Sequence, residues 1–158
     1  MVSVIELSVS GTPEVERFLY IDPSNSTKLP VDFATADECA IDGKRWMEKF
    51  GEWKHIGHAH DWNEKSKASW EVEIMEAGHY QVDLNYSGEC RLVWRVENEE
   101  GQFVQNQQNS SHVYHYYEMG LLKFSAPGKH TISVELKEGN MESASLREIK
   151  LTPLQSLE

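Results

Sequence analysis

Ser69-Trp70-Glu71-Val72-Glu73-Ile74-Met75-Glu76-Ala77-Gly78-His79-Tyr80-Gln81-Val82-Asp83-Leu84-Asn85-Tyr86 is the run that decides the fold. Trp70, Val72 and Ile74 alternate with Ser69, Glu71 and Glu73, and Tyr80, Val82, Leu84 and Tyr86 alternate with His79, Gln81, Asp83 and Asn85. Successive side chains of a strand point to opposite faces, so period two marks a strand with one buried face. Glu76-Ala77-Gly78 between the two runs makes them a hairpin. Working outward, Cys90, Leu92, Trp94 and Val96 repeat the pattern, as do Ile132, Val134 and Leu136. Asn98-Glu99-Glu100-Gly101, Pro127-Gly128 and Gly139-Asn140 supply turns, His112 to Ser125 holds one or two strands around Gly120, and Leu146 to Leu151 is the last. No long 3.6-residue period occurs. Short strands with frequent turns predict an antiparallel β-sandwich, with a closed barrel as the alternative. The expected core is Trp70, Val72, Ile74, Tyr80, Val82, Leu84, Leu92, Trp94, Val96, Ile132 and Val134.

The chain has 158 residues, enough for one domain with a short flanking piece and too few for a (β/α)8 barrel. Leu, Ile, Val and Phe make up about 23%, and sixteen aromatics, five of them Trp, argue for a folded chain. The net charge of −11, with no basic block longer than Lys44-Arg45, speaks against nucleic acid and anionic membrane. No run of 18 apolar residues occurs, so no membrane insertion is expected, and the opening MVSVIELSVSG lacks the features of a signal peptide. Cys39 and Cys90 are expected as two buried thiols.

Val2 to Val9 reads as a strand, and Asp22-Pro23-Ser24-Asn25-Ser26-Thr27 as a connecting segment, which places the start of the compact domain near residue 33. The densest chemistry lies in Trp46 to Trp62, WMEKFGEWKHIGHAHDW, which holds three Trp and three His. Its strand signal is poor, so it reads as a long crossover loop. Apolar rings on a loop either plug the end of a core or meet a ligand. The interleaved His and Asp favour a ligand, because polar groups are costly to bury without partners. A Trp face stacks on the C–H face of a pyranose while Asp and His take its hydroxyls. The expected carbohydrate-contacting residues are therefore Trp53, His58, His60, Asp61 and Trp62, with Tyr116 as a neighbour. The competing reading buries Trp46, Trp53 and Trp62 as a cap on the core. His58-x-His60-Asp61 also contains ligand types that zinc uses, against which stands a structural, hydrogen-bonding role. No phosphate loop, GxSxG or HExxH motif occurs, and the presence of 26 acids says nothing about a glycosidase pair.

Two pieces carry a resemblance. Ala68 to Ile74 with Ala77-Gly78-His79-Tyr80-Gln81-Val82, and Ala126-Pro127-Gly128-Lys129-His130-Thr131-Ile132 with the closing strand, resemble galactose-binding-like, carbohydrate-binding β-sandwich modules over most of residues 33–152. Val4-Ile5-Glu6-Leu7 with Gly11-Thr12-Pro13 looks like the final strand of the sandwich that follows the barrel in bacterial α-L-fucosidases, and Met47 to Lys54 resembles their appended domains. The resemblance implies a jelly roll at 33–152 and, over 1–32, the terminal strand of a preceding sandwich plus a linker. Residues 153–158 read as a tail whose closing Leu157-Glu158 are cloning residues. It implies a non-catalytic carbohydrate-binding accessory domain whose parent is a periplasmic or extracellular glycoside hydrolase. The partners it implies are a fucosylated or galactosylated glycan and the parent's catalytic domain. No catalytic residue is carried over, because the nucleophile and acid/base belong to the barrel. Many such modules hold a structural calcium. Asp37 or Glu38 and Glu148 are the corresponding carboxylates, and whether metal is bound stays open. The other functional reading is a structural appendage that orients or shields the catalytic domain without binding sugar.

Overall fold

The computed structural model describes residues 10–11, 18–47 and 53–154. The strand expected at 2–9, and most of the fucosidase-like pieces at 4–13 and 47–54, lie outside them. Among the described residues twelve strands run in chain order: β1 (Leu19–Ile21), β2 (Thr27–Pro30), β3 (Thr35–Asp37), β4 (Ala40–Met47), β5 (Trp53–His60), β6 (Lys67–Ile74), β7 (Gly78–Ser87), β8 (Cys90–Asn98), β9 (Phe103–Ser110), β10 (His115–Phe124), β11 (Gly128–Glu138) and β12 (Ser145–Pro153). The only helical pieces among the described residues are two 3-10 turns, Val31–Phe33 and Met141–Ser143.

The strands form two sheets. The first runs β1-β6-β11-β8-β9, with β3 also on the outer edge of β6, and the second runs β10-β7-β12-β5-β4, with β2 also on β12. The chain is thus a β-sandwich of jelly-roll type, antiparallel except where β1 pairs in parallel with β6. Every residue expected in the core is at most 2% exposed. Tyr86, Leu122, Phe124, Leu136, Leu146, Ile149 and Leu151 join them between the sheets. Burying side chains of this size contributes roughly 1.5–3 kcal/mol each, before chain entropy is set against it. Two buried polar groups of the sandwich find backbone partners: Trp70 Nε1–H donates to the Pro30 carbonyl at 2.8 Å, and the Tyr80 hydroxyl donates to Glu76 O at 2.6 Å.

Three expectations are corrected. The sandwich begins by Leu19 and not near 33, because β1 completes the edge of β6 and β2 pairs with β12 from Leu151 to Glu148. The region read as a crossover loop is an antiparallel hairpin, β4–β5, registered from Ala40↔His60 to Met47↔Trp53. Its missing alternation reflects exposure: β4 is exposed from Asp42 to Met47, so no face of it had to be apolar. Finally, the two thiols are not both buried; Cys39 is half-buried and Cys90 exposed, and neither is in a disulfide.

Candidate functional site

The site is built on the outer face of the second sheet. Along β7, Tyr80, Val82, Leu84 and Tyr86 are buried in alternation, so Gln81, Asp83 and Asn85 point outward. Residues directly opposite in an antiparallel pair share a face. Asn85 lies opposite Tyr116 of β10 on one side and Glu148 of β12 on the other, and Glu148 lies opposite Pro30 of β2. Between Leu146 and Glu148 the register of β12 against β7 slips by one residue, which makes Arg147 the extra residue of a bulge. Bulges re-aim a side chain. Here the Arg147 guanidinium lies 3.5 Å from the centre of the Tyr114 ring, a cation–π contact.

A cavity of about 410 Å3 opens on this face, lined by Pro30, Asp32, Phe33, His55, Ile56, Gly57, Asn85, Arg147 and Glu148. It lies where β2 and β5 both abut β12, with the 3-10 turn Val31–Phe33 at its rim. His55 Nε2–H donates to the Asp32 carboxylate, tying the β4–β5 hairpin to that turn. Glycine makes room for this clasp. A Cβ on Gly57 would sit 2.5 Å from both Asp32 carboxylate oxygens, and one on Gly43, opposite Gly57, would strike the His55 ring. Phe33 is 60% exposed and Ile56 half-buried, which gives the rim an apolar wall.

Two polar atoms distinguish this cavity. Asn85 Oδ1 and Arg147 Nε are buried without a hydrogen-bond partner. A buried polar atom left unpaired costs about 1–3 kcal/mol. Both belong to residues lining the same cavity, and a ligand hydroxyl would satisfy either. A larger groove of about 920 Å3, between Pro23, His79, Leu121 and Leu154, has no such atom in its lining. Beside the cavity, the Tyr116 hydroxyl donates to Glu148, and Lys28 and Lys150 lie 5.5 and 4.6 Å from the Tyr116 ring centre. Lys28 and Glu148 pair at 3.4 Å, and Lys150 and Asp83 at 2.7 Å. The Lys28 ammonium is held above its usual pKa, first by its bond to Tyr116 and then by the Glu148 charge.

The residues expected from sequence divide between core and surface. Tyr116 is on the outer face, 38% exposed. His58 and His60 stack along β5 with ring centres 5.2 Å apart. His60 pairs through Nε2 with Asp42 at 3.0 Å and through Nδ1 with Asp61 at 3.2 Å. Asp61 takes a left-handed φ of 58°, which Asp tolerates better than most residues, and closes the strand. Its hydrogen bond is the main reason that His60 titrates above the usual value, while burial, followed by the His60 charge, pulls His58 below it. The Arg147 charge acts on His58 in the same direction, as the smallest of the contributions. Trp62 does not line a surface. It is 4% exposed, packs edge-on against Trp94 at 5.0 Å, and donates its indole N–H to the Ala59 carbonyl at 3.0 Å. A core slot with a backbone acceptor satisfies both halves of an indole, which a loop read in isolation does not reveal. Trp53 opens β5, and its side chain lies outside the described residues. Sequence reasoning missed Asp32, Phe33, Asn85 and Arg147. Only the outward phase of Asn85 in its strand was available as a signal.

The carboxylates considered for calcium are dispersed. Asp37 pairs with Lys67 in the first sheet, whereas Glu148 faces Tyr116 and Lys28 on the second. Among the described residues no three His, Cys, Asp or Glu side chains form a group that could hold a metal ion.

No protein-family model matches the chain, and no curated protein matches it in sequence. Similarity appears in three dimensions. A GH26-CBM35 β-(1,4)-mannanase from Podospora anserina superposes with a TM-score of 0.68 at 13% identity, covering 85% of this chain and 29% of the mannanase. A family 35 carbohydrate-binding module from Clostridium thermocellum gives 0.62 at 12% identity over 83% of this chain and 100% of the module. A carbohydrate-binding module of Cellvibrio mixtus lichenase 5A, solved with cellotriose, gives 0.58 at 10% identity over 82% and 98%. What this chain shares with all three is the β-sandwich fold.

Proposed function

We propose that this chain is a non-catalytic carbohydrate-binding accessory module, and that its sugar sits in the cavity between the Val31–Phe33 turn, β5, and the outer face of β12 and β7. The observation that carries this reading is the convergence of two unpartnered polar atoms, Asn85 Oδ1 and Arg147 Nε, on one cavity with an apolar wall. Phe33 offers a stacking face, and Asn85, Arg147 and the Asp32–His55 pair fix hydroxyl directions. His58 and Tyr116 flank the ligand, whereas His60 and Asp61 hold the end of β5. The resemblance to fucosidase appendages makes fucosylated and galactosylated glycans the first ligands to try, and an extracytoplasmic glycoside hydrolase the proposed parent.

The test is nuclear magnetic resonance titration of the chain with those oligosaccharides. An open cavity of this kind supports dissociation constants on the order of 0.1–1 mM. Shifts centred on Asn85 and Arg147, lost in Arg147→Ala, support the cavity. Shifts centred elsewhere move the site. The burial of Trp62 favours the second reading, a structural appendage that orients or shields the catalytic domain, and absence of any shift at millimolar sugar would establish it.

A further inference from the structure

Strand β4 ends the second sheet on the side away from β10, and among the described residues no strand pairs with its outer edge. It is eight residues long, contains no proline, and is exposed from Asp42 to Met47. Beyond β5 its hairpin meets the sheet through one register pair, Leu146↔Ala59. A two-stranded hairpin is marginal in water, and an open edge of this length is a template for another strand.

We propose that the β4 edge pairs antiparallel with β4 of a second copy of this chain, about a dyad at Gly43. A twofold axis that joins two edges in antiparallel sense stands perpendicular to the sheet. It keeps each face on its own side, so residues opposite one another have the same parity. Three such registers bring the middle of β4 against itself. A dyad at Asp42 sets carboxylate against carboxylate, and a dyad at Lys44 sets ammonium against ammonium; like charges directly opposite are destabilising. The dyad at Gly43 sets Asp42 opposite the second copy's Lys44, twice. It also sets Trp46 opposite the small Ala40, twice, and glycine against glycine at the centre. Acid meets base and large meets small along the whole outer face. Lys44, the kind of residue that ordinarily guards an edge, is neutralised in this arrangement alone. The Asp42 side chain is 72% exposed and uses one oxygen, Oδ2, for His60. Its other oxygen is the one available to the ammonium across the dyad.

The axis leaves both outer faces on the same side of one continuous sheet. Two Asn85–Arg147 cavities then open in the same direction, a bivalent arrangement suited to a polymeric glycan. That consequence rests on the sugar reading; the dimer does not.

Sedimentation velocity across micromolar to millimolar protein, without sugar, tests the dimer. The expected result is a concentration-dependent species of twice 18.2 kDa. Asp42→Lys should weaken it by about tenfold or more, since it places like charges opposite each other. Lys44→Glu does the same from the other side and guards against one variant failing to fold, which circular dichroism checks. The exchange Asp42→Lys with Lys44→Asp restores the cross-dyad pair but not the His60 contact, and should restore the dimer. A chain that stays monomeric at millimolar concentration overturns the proposal. So does a dimer indifferent to both single variants, or one that the exchange fails to rescue. Sugar titration of the monomeric variant is a separate readout, so loss of the dimer and loss of the sugar reading are told apart.

Discussion

The strands β6, β7, β8 and β11 and the hairpin β4–β5 are all antiparallel β-structure, and they are held by different forces. In the first group every second residue is buried between the sheets, and the alternation is visible in the sequence. In the hairpin, ladder hydrogen bonds and polar clasps replace burial: His55 on Asp32, and His60 on Asp42 and Asp61. Strands of the first kind are specified by a core, and strands of the second by their turn and their partners. The second kind leaves side chains free for ligands and neighbours.

The largest test of this contrast is stability. Leu84→Ala removes a fully buried side chain and should cost about 2–5 kcal/mol in denaturant unfolding. Trp46→Ala, 39% exposed on the hairpin, should cost less than about 1 kcal/mol despite the larger ring. Equal losses would erase the distinction.

Gly57→Ala comes next. The added carbon would press on the Asp32 carboxylate and force the clasp apart. Overpacking of this sort costs about 1–3 kcal/mol, and oligosaccharide affinity should fall with it. Unchanged stability and sugar binding in the Gly57→Ala variant would detach the clasp from the site. The mutation also distinguishes the hairpin's contribution from that of Arg147 on β12. Arg147→Ala should reduce affinity by up to about tenfold, the value of one good hydrogen bond, with little change in the unfolding midpoint.

The smallest effect is electrostatic. His58 and His60 share a face, yet their titrations should separate, His58 below the ordinary 6.5 and His60 above it. The fold prefers His60 protonated. Its stabilising contribution is therefore fully present below pH 6.5 and fades as pH rises through its raised midpoint. Imidazole proton shifts recorded against pH measure both midpoints. Asp61→Asn, which removes the charge behind the leading cause of the His60 shift, should narrow the gap between them. An unchanged gap would assign the separation to Asp42 and to the burial of His58 instead.

The same contrast explains what could be read from the sequence. Trp70-Glu71-Val72-Glu73-Ile74 announces its face because burial selects every second residue. Ala40 to Met47 announces nothing, since neither face is buried and Gly43 serves to clear a histidine on another strand. Trp62 was legible as an aromatic residue in polar company, but its slot is made by Trp94, on a strand of the opposite sheet. The cavity was not legible at all. Asp32, His55, Asn85 and Arg147 come from four separate segments, and they meet only through the order of strands around β12 and its one-residue bulge.

The place of β12 bears on how the molecule is made. It joins β7 on one side to β2 and β5 on the other, yet it follows all of them in chain order. During synthesis β2, β5 and β7 emerge with no common neighbour to pair with, and their apolar residues must wait in solvent. The second sheet closes only after residues 145–153 have cleared the ribosome. A ribosome stalled anywhere before that point should carry a nascent chain without its second sheet, open to proteases and to chaperones.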